Sequence, residues 1–276
     1  MAMPELPEVE TVVRSLRESV AGKLIRHTSC SARHILAQNQ PDFPAVLVGQ
    51  KITAIDRNGK NIFIRLDDGN LLWIHLRMTG QFIFQAGIDL DDPHNHVLFK
   101  FKHSDERLVF RDVRKFGTFR FIPADDRDNF FNRHNFGRDA LAVSESEFMD
   151  LIRPRKRMIK PLLLDQSLVA GLGNIYVDEL LWESRVHPQK RSHRIAPRKL
   201  KQMHNTMLRL LNHAIANMGT TFDSFRGINS EPGNFQSYLK AYQNAGNICP
   251  RCGRVRIKKI TVAQRGTHYC PHCQRL

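Results

Sequence analysis

The sequence predicts a multidomain α+β protein in three parts: an all-β amino-terminal domain that opens with one helix, a helical middle domain and a cysteine-bearing tail. Short segments that alternate or run apolar fill the chain to about residue 125, and segments with helical apolar spacing follow them. Four of the five cysteines crowd into the last 28 residues. We therefore place the domains at residues 1–130, 131–246 and 247–276.

The first predicted element is a helix over about residues 7–20. Pro7 suits the first helical position, and Glu8 and Glu10 complement the positive end of the helix dipole. The apolar positions that follow recur at helical spacing, at Val9, Val12, Val13, Leu16 and Val20. Pro4 and Glu5 precede this helix, and the helix alone does not explain them.

Short strands come next, in the segments KITAIDR, NIFIRLDDGNLLWIHL, HVLFKFKH, ERLVFRD and GTFRFI. Many short strands with short connections favour a β-sandwich or a barrel over a doubly wound sheet. Helical spacing then marks the segments ESEFMDLI, IKPLLLD, NIYVDELLWES and RKLKQMHNTMLRLLNHAIANMG, the last of which should stop at Gly219. Residues 220–247 are rich in glycine, asparagine and serine, which predicts a loop or linker.

The tail carries the strongest local motif, two Cys-x2-Cys pairs separated by seventeen residues. This spacing is typical of a structural zinc site, and about 30 residues cannot build a core without such a staple. The predicted ligands are Cys249, Cys252, Cys270 and Cys273. Four thiolates complete the shell, so His268 and His272 are not expected as ligands. Paired disulfides are disfavoured because no secretory signal precedes the first helix, which predicts a cytosolic location.

The charge balance predicts a polyanionic partner. Lys and Arg number 42 against 27 Asp and Glu, a net charge of +15, although the 41% hydrophobic and 25% charged content is that of an ordinary globular protein. Nucleic acid is favoured over an anionic membrane, since no apolar run reaches the ~18 residues of a membrane span. Six basic residues and no acid lie in the tail segment that contains the cysteines, which favours a phosphate-facing ribbon: Arg251, Arg254, Arg256, Lys258, Lys259 and Arg265.

From Met3 onward the chain resembles the formamidopyrimidine-DNA glycosylase family of base-excision repair enzymes. The resemblance rests on a series of motifs in the family's order: PELPEVE, GK before a strand, HLRMTG, DVRKFG, IKPLLLDQSLVAGLGNIYVDE, MGTT and AQRGTHYC. It implies an N-terminal β-sandwich, a helix-two-turn-helix middle domain and a C-terminal zinc ribbon. PELPEVE favours the purine-lesion branch over the endonuclease VIII-like branch, whose enzymes prefer oxidised pyrimidines.

The resemblance implies four catalytic residues. Pro4 matches the amino-terminal proline whose secondary amine attacks C1′ of the damaged nucleotide, and Glu5 matches the acid that protonates the ribose ring oxygen. Lys60 matches a β-hairpin lysine that assists near the lesion. Arg265 matches the arginine at the ribbon tip that grips the flanking phosphates and supports elimination.

Six further residues match the family's DNA contacts. Met78, Arg114 and Phe116 correspond to the trio that fills the gap left by a flipped base, and extrusion of a base does require such a replacement for the lost stacking. His94, Lys156 and Asn174 correspond to phosphate contacts, and Asn174 should also cap its helix after the glycines of AGLGN. The segment 222–235 corresponds to a loop that closes over an oxidised purine.

These matches imply a monomeric bifunctional DNA glycosylase and abasic-site lyase in the bacterial cytosol, associated with the nucleoid. Its substrate would be 8-oxoguanine or formamidopyrimidines in duplex DNA, and it would cut the strand by β,δ-elimination. Its cofactor would be one structural Zn²⁺. The alternatives are a glycosylase of the same fold that prefers oxidised pyrimidines, and a lesion-binding protein without catalysis. The second arises because Met1, Ala2 and Met3 would make the Pro4 nitrogen a tertiary amide. We therefore expect translation to begin at Met3, or these residues to be added or removed.

Overall fold

The computed structural model describes residues 3–32, 35–36, 43–89, 91–221, 228 and 231–276. The chain forms two compact units. Unit 1 takes residues 1–135 and 217–234, and unit 2 takes residues 136–216 and 235–276. The domain limits predicted above stay a prediction. No helix in the described part of the chain is both long and apolar enough to span a bilayer.

Unit 1 opens with a helix and continues mainly as strands. Its helices are α1 (Leu6–Val20), α2 (Phe43–Val46) and α3 (Arg127–Arg133), with a short 3-10 helix at Ala124–Asp126 before α3. Its strands are β1 (Ile25–Cys30), β2 (Ile52–Asn58), β3 (Asn61–Leu66), β4 (Leu71–His75), β5 (Gly80–Gln85), β6 (Asn95–Phe101), β7 (Arg107–Asp112) and β8 (Thr118–Ile122).

The eight strands form two antiparallel sheets of four, in the orders β1-β6-β7-β5 and β2-β3-β4-β8. Alternate side chains point into one apolar cluster, as with Ile62, Ile64 and Leu66 of β3. The same cluster takes one face of α1, through Val9, Val12, Val13, Leu16 and Val20. The predicted β-sandwich with an amino-terminal helix is therefore confirmed.

Unit 2 is helical and ends in a hairpin. Its helices are α4 (Glu145–Ile152), α5 (Ile159–Leu163), α6 (Asn174–Glu183) and α7 (Pro197–Ala216), with 3-10 helices at Ser192–Arg194 and Phe235–Tyr238. The two-residue strands β9 (Arg138–Asp139) and β10 (Val169–Ala170) pair in parallel. The antiparallel hairpin of β11 (Lys258–Val262) and β12 (Arg265–Tyr269) follows near the carboxyl end. The four helical segments and the ribbon hairpin agree with the predictions.

Most elements that the sequence pattern missed are short or lack a clear period, whereas strand β5, GQFIFQ, alternates clearly in burial and was missed all the same. Strand β1, for instance, is IRHTSC, with only two of its six residues buried, so its hydrophobic alternation is weak. Helix α3 is only seven residues long and buries Phe130 alone. The pairs β9 and β10 are two residues each, which is below what periodicity detects.

Packing around Phe110 in unit 1 provides a test of this core. A Cβ added to Gly117 would lie 2.5 Å from one ring atom of Phe110 and 2.6 Å from another. Gly117→Ala should therefore lower the free energy of unfolding by about 1–3 kcal/mol, the usual cost of overpacking. In a Phe110→Leu background the added methyl group meets no ring, so the same substitution should cost less. Urea unfolding of the four chains measures this coupling, and additive losses would contradict the packing.

Candidate functional site

The amino-terminal residues of unit 1 are held in place rather than left in solvent. Pro4 is buried, and Glu5 is 3% exposed at the N-cap position of α1. The backbone N–H of Glu5 donates to Oε2 of Glu8 at 2.8 Å. The two residues that the helix prediction left unexplained are therefore fixed at its first turn.

Glu8 also binds a segment far away in the sequence. The side chain is 1% exposed, and its Oε1 accepts from the backbone N–H of Thr220 at 2.7 Å and from the Thr220 hydroxyl at 3.0 Å. The preceding Gly219 has φ of +73°, and an added Cβ would lie 2.5 Å from Oε1 of Glu8. Only glycine fits this approach. Sequence reasoning gave Glu8 a helix-dipole role and missed this contact.

Lys60 lies at the turn of the β2–β3 hairpin, directly after Gly59. It is 5% exposed, which differs from the solvated lysine that is usual in a turn. Its charge acts on the nearby His75, whose pKa is lowered to about 3 by burial and by the positive charges of Arg77 and Lys60. Nδ1 of His75 accepts the backbone N–H of Arg77 at 2.9 Å. The surroundings of Lys60 therefore include a neutral imidazole at pH 7.

Met78, Arg114 and Phe116 come together at one surface of unit 1. The guanidinium of Arg114 lies 4.6 Å from the ring centroid of Phe116, and its Nη1 lies 3.1 Å from Sδ of Met78. Phe116 is 51% exposed, which is unusual for a large apolar side chain. The structure thus gathers a planar cation, an aromatic ring and a thioether that the sequence separates by 38 positions.

Two further predicted phosphate contacts, His94 and Lys156, belong to different units. His94 is half-buried in the loop before β6, and its Nδ1 makes no hydrogen bond to the described residues. Lys156 is exposed in unit 2, between α4 and α5, and its carbonyl accepts from Nη1 of Arg191 at 2.9 Å. The side chain of Lys156 is accessible to a ligand, whereas Nδ1 of His94 is buried.

In unit 2, Asn174 and the ribbon hairpin meet. The side-chain Nδ2 of Asn174 donates to the carbonyl of Gly266 at 2.9 Å, next to the exposed Arg265. The hairpin turn places Ala263 and Gln264 at positive φ, as a two-residue turn between twisted strands requires. The expectation that Asn174 caps α6 is wrong, because Gly173 is the N-cap and Asn174 begins the helix. Its Oδ1 has no partner among the described residues.

A buried ionic network, which sequence reasoning missed, fastens the hairpin to α5 and α6. Nζ of Lys160 lies 2.6 Å from Oδ1 of Asp178, and both side chains are fully buried. The other oxygen, Oδ2, accepts the backbone N–H of His268 at 2.8 Å and lies 3.0 Å from its ring Nδ1. Lys160 also donates to the carbonyl of Gly266 at 3.2 Å. Removal of one partner would leave a buried charge, which costs about 3–5 kcal/mol.

The four cysteines of the tail form a metal-binding cluster. The sulfur atoms of Cys249, Cys252, Cys270 and Cys273 all lie within 4.8 Å of one another. A zinc tetrahedron with bonds of about 2.3 Å has sulfur atoms ~3.8 Å apart, and Sγ of Cys252 lies 3.8 Å from Sγ of Cys270. The donor set and its spacing fit zinc, and His268 binds Asp178 instead of joining the shell.

The thiols differ in how readily they ionise. Backbone N–H groups lower the pKa of Cys252 to about 6, and the N–H of Arg254 contributes most to this shift. Burial raises the pKa of Cys270 to about 12. A bound cation stabilises thiolates, so zinc would favour the ionised form of all four.

Three family models together match most of the chain. Residues 3–119 match the formamidopyrimidine-DNA glycosylase N-terminal domain, and residues 136–225 match the H2TH domain of the same enzyme. Residues 246–276 match a zinc finger found in FPG and IleRS. The cysteine ribbon is therefore a zinc finger with one structural zinc ion, as the spacing predicted.

Named relatives extend over the full length. The chain is 40% identical to formamidopyrimidine-DNA glycosylase of Streptococcus pyogenes serotype M6, with 99% of each chain covered. It is 37% identical to that of Pelotomaculum thermopropionicum, which covers 99% of this chain and 100% of the relative. Solved structures of the same family are similar to this chain over its full length. Wild-type Lactococcus lactis Fpg in complex with N7-benzyl-Fapy-dG DNA has a TM-score of 0.90 at 36% identity, covering 99% of this chain and 100% of that one.

The zinc centre can be tested by the metal content of the purified protein. Cys249→Ser should release the metal, because three thiolates leave the tetrahedron incomplete and the ribbon has little core of its own. Elemental analysis should find about one zinc ion per chain in the parent and well below one in this variant. Cys30→Ser removes the cysteine outside the cluster and should keep the zinc. Equal zinc in all three proteins would contradict the assignment.

Proposed function

The chain belongs to the formamidopyrimidine-DNA glycosylase family, and on that premise we propose that it is a bifunctional DNA glycosylase and abasic-site lyase for oxidised purines. The observation that carries this proposal is the full-length similarity to relatives that were solved with damaged DNA. They include Lactococcus lactis Fpg with abasic-site DNA and MutM with carbocyclic 8-oxo-G DNA, each with a TM-score of 0.90 at 35% and 36% identity, covering 99% of this chain and 100% of those.

Damaged duplex DNA is the proposed partner. The net charge of +15 suits a polyanion, and the exposed basic side chains include the proposed phosphate contacts Arg265 and Lys156. His94 and Asn174 are proposed to add phosphate contacts, since each matches a phosphate-binding residue of the family and each can donate a hydrogen bond, Asn174 through its Nδ2 group. A monomeric state and a cytosolic, nucleoid-associated location stay predictions.

In the proposed first step, the Pro4 nitrogen attacks C1′ of the damaged nucleotide. A bond forms between this nitrogen and C1′, the glycosidic bond breaks, and the base leaves with the bonding electrons and takes up the proton that the Pro4 nitrogen loses. Glu5 donates a proton to the ring oxygen O4′ as the C1′–O4′ bond opens, and the nitrogen becomes a cationic iminium. The attack needs Pro4 as a free secondary amine, so the active form is one in which Pro4 is the first residue.

The iminium then acts as an electron sink for strand cleavage. Loss of the C2′ proton expels the 3′ phosphate, and loss of the C4′ proton expels the 5′ phosphate, which together give β,δ-elimination. We propose that Lys60 assists near the sugar and that Arg265 stabilises the departing phosphate charge. Met78, Arg114 and Phe116 are proposed to fill the space of the flipped nucleotide, and their cluster of apolar and planar groups suits that role. The loop proposed to cover the lesion, 222–235, lies mostly outside the described residues.

Borohydride trapping tests the nucleophile. Two forms of the protein are compared, one that begins at Pro4 and one that retains Met3, in which the Pro4 nitrogen is an amide. With a duplex that carries one 8-oxoguanine, the first form should give a reduced covalent adduct that peptide mass mapping assigns to Pro4. The second form should give no adduct at Pro4. Equal trapping of both forms, or an adduct on Lys60 in the first, would contradict the mechanism.

The same reaction on a duplex with an oxidised pyrimidine tests the substrate class. The form that begins at Pro4 should excise 8-oxoguanine with the higher kcat/KM. Faster excision of the pyrimidine would favour the endonuclease VIII-like alternative. Tight binding of both duplexes without strand cleavage would favour a lesion-binding protein.

A further inference from the structure

One buried carboxylate in unit 1 holds both loops that carry Met78, Arg114 and Phe116. Asp112 ends β7 and is fully buried. Its Oδ1 accepts from the hydroxyl of Thr79 and from the backbone N–H of Arg114, the latter at 3.2 Å. Its Oδ2 accepts the backbone N–H of Gly117 at 2.6 Å.

The backbone of the same residue ties a third segment to this point. The N–H of Asp112 donates to the carbonyl of His94 at 2.9 Å, and its carbonyl oxygen accepts the N–H of Lys115 at 3.2 Å. Nε2 of His96 lies 2.8 Å from that carbonyl, a distance at which the protonated nitrogen donates. The loops around Asp112 thus include four of the proposed DNA contacts, and Asp112 itself is out of reach of a ligand.

Glycines at the ends of both loops pack against the same buried ring, that of Phe110. Gly117 lies against the ring of Phe110, and a Cβ added to Gly80, at the start of β5, would lie 2.6 Å from the same ring. Packed glycines limit how the loops can shift, while the hydrogen bonds to Asp112 fix where their backbones lie. The exposed side chains therefore start from a position that the buried groups below them determine.

We propose that Asp112 is the positioning residue for insertion of Met78, Arg114 and Phe116 into DNA. The inference rests on the proposed function and assigns to this carboxylate the step in which the damaged base is extruded. Extrusion costs a few kcal/mol of lost stacking and pairing, which only correctly placed inserting side chains offset. A site of this kind needs its groups held within about 0.5 Å, through supporting hydrogen bonds.

The chemistry of the contacts requires a carboxylate. Its two oxygens face three donors, and an ionised carboxylate has acceptor sites for all of them. The amide of asparagine has the same shape but one acceptor oxygen, and its NH2 group would face the N–H of Gly117 or the donors of Thr79 and Arg114. Asp112→Asn therefore changes loop geometry while it preserves the volume of the side chain.

Two substrates separate positioning from general damage to the fold. A duplex with 8-oxoguanine requires extrusion of a base, whereas a duplex with a preformed abasic site has no base to extrude. In the form that begins at Pro4, Asp112→Asn should lower kcat/KM for the 8-oxoguanine duplex by about 10- to 100-fold, since each hydrogen bond to a charged group contributes ~1.5–3 kcal/mol. Cleavage of the abasic duplex should stay close to that of the parent.

Two further variants make the result decisive. Asp56→Asn removes an exposed carboxylate paired with Arg65 on the other sheet and should change neither activity. Thr79→Val removes one donor and keeps the buried charge, so it should lower kcat/KM for the 8-oxoguanine duplex by a smaller factor and leave abasic cleavage unchanged. This variant tests the proposal even if Asp112→Asn fails to fold. Equal losses on both duplexes, or no loss on the 8-oxoguanine duplex, would overturn the proposal. Failure of the parent on both duplexes would instead reject the proposed function.

Discussion

The Glu8 carboxylate is the contact on which the proposed active site depends. It joins the backbone of Glu5 to Thr220, which lies 212 positions beyond Glu8 in the chain. A terminal residue is ordinarily mobile because nothing restrains its backbone. Here the first turn of α1 is fastened within unit 1, and the close approach of Gly219 leaves no room for a side chain. An attacking amine needs such restraint, because misplacement of a reacting group by about 1 Å can cost 100-fold in rate.

Buried carboxylates that accept backbone N–H groups also support the other proposed sites. Asp112 supports the loops of the proposed inserting side chains, and Asp178 supports the hairpin beside Arg265. Glu179 accepts backbone N–H groups from residues 240–242, ahead of the zinc ribbon. Burial raises the pKa of Glu179, and those N–H groups oppose the shift. Burial of each acid costs desolvation free energy, which the hydrogen bonds from its donors offset. Each acid thereby fixes the position of a backbone segment near exposed side chains of the proposed sites.

Features set by residues close together in the sequence could be predicted, whereas contacts between distant residues could not. The helix of α1 and the long α7 have strong local periods, and the cysteine spacing specifies its own site, so all three were predictable. The network of Lys160, Asp178 and His268 was not, since its members are 18 and 90 positions apart and nothing in their spacing pairs them, although each lies in a motif that carries the family resemblance. The contact of Glu8 with Thr220 was missed because a glutamate in a first helical turn already has a sufficient local explanation. The assignment of Asn174 as a cap failed because Gly173 takes that place.

The most direct test of the account is the rate at which Pro4 is trapped by borohydride on a preformed abasic duplex, measured in Glu8→Gln. The amide has one acceptor oxygen, so its NH2 group must face either Glu5 N–H or the Thr220 donors, and a buried donor left unpaired costs about 1–3 kcal/mol. We predict trapping at least about tenfold slower than in the parent. Glu10→Gln, two residues further along α1 and paired with Arg57, should trap at the parental rate. Parental trapping in Glu8→Gln, with the fold and zinc content intact, would contradict the claim that this carboxylate positions the catalytic amine.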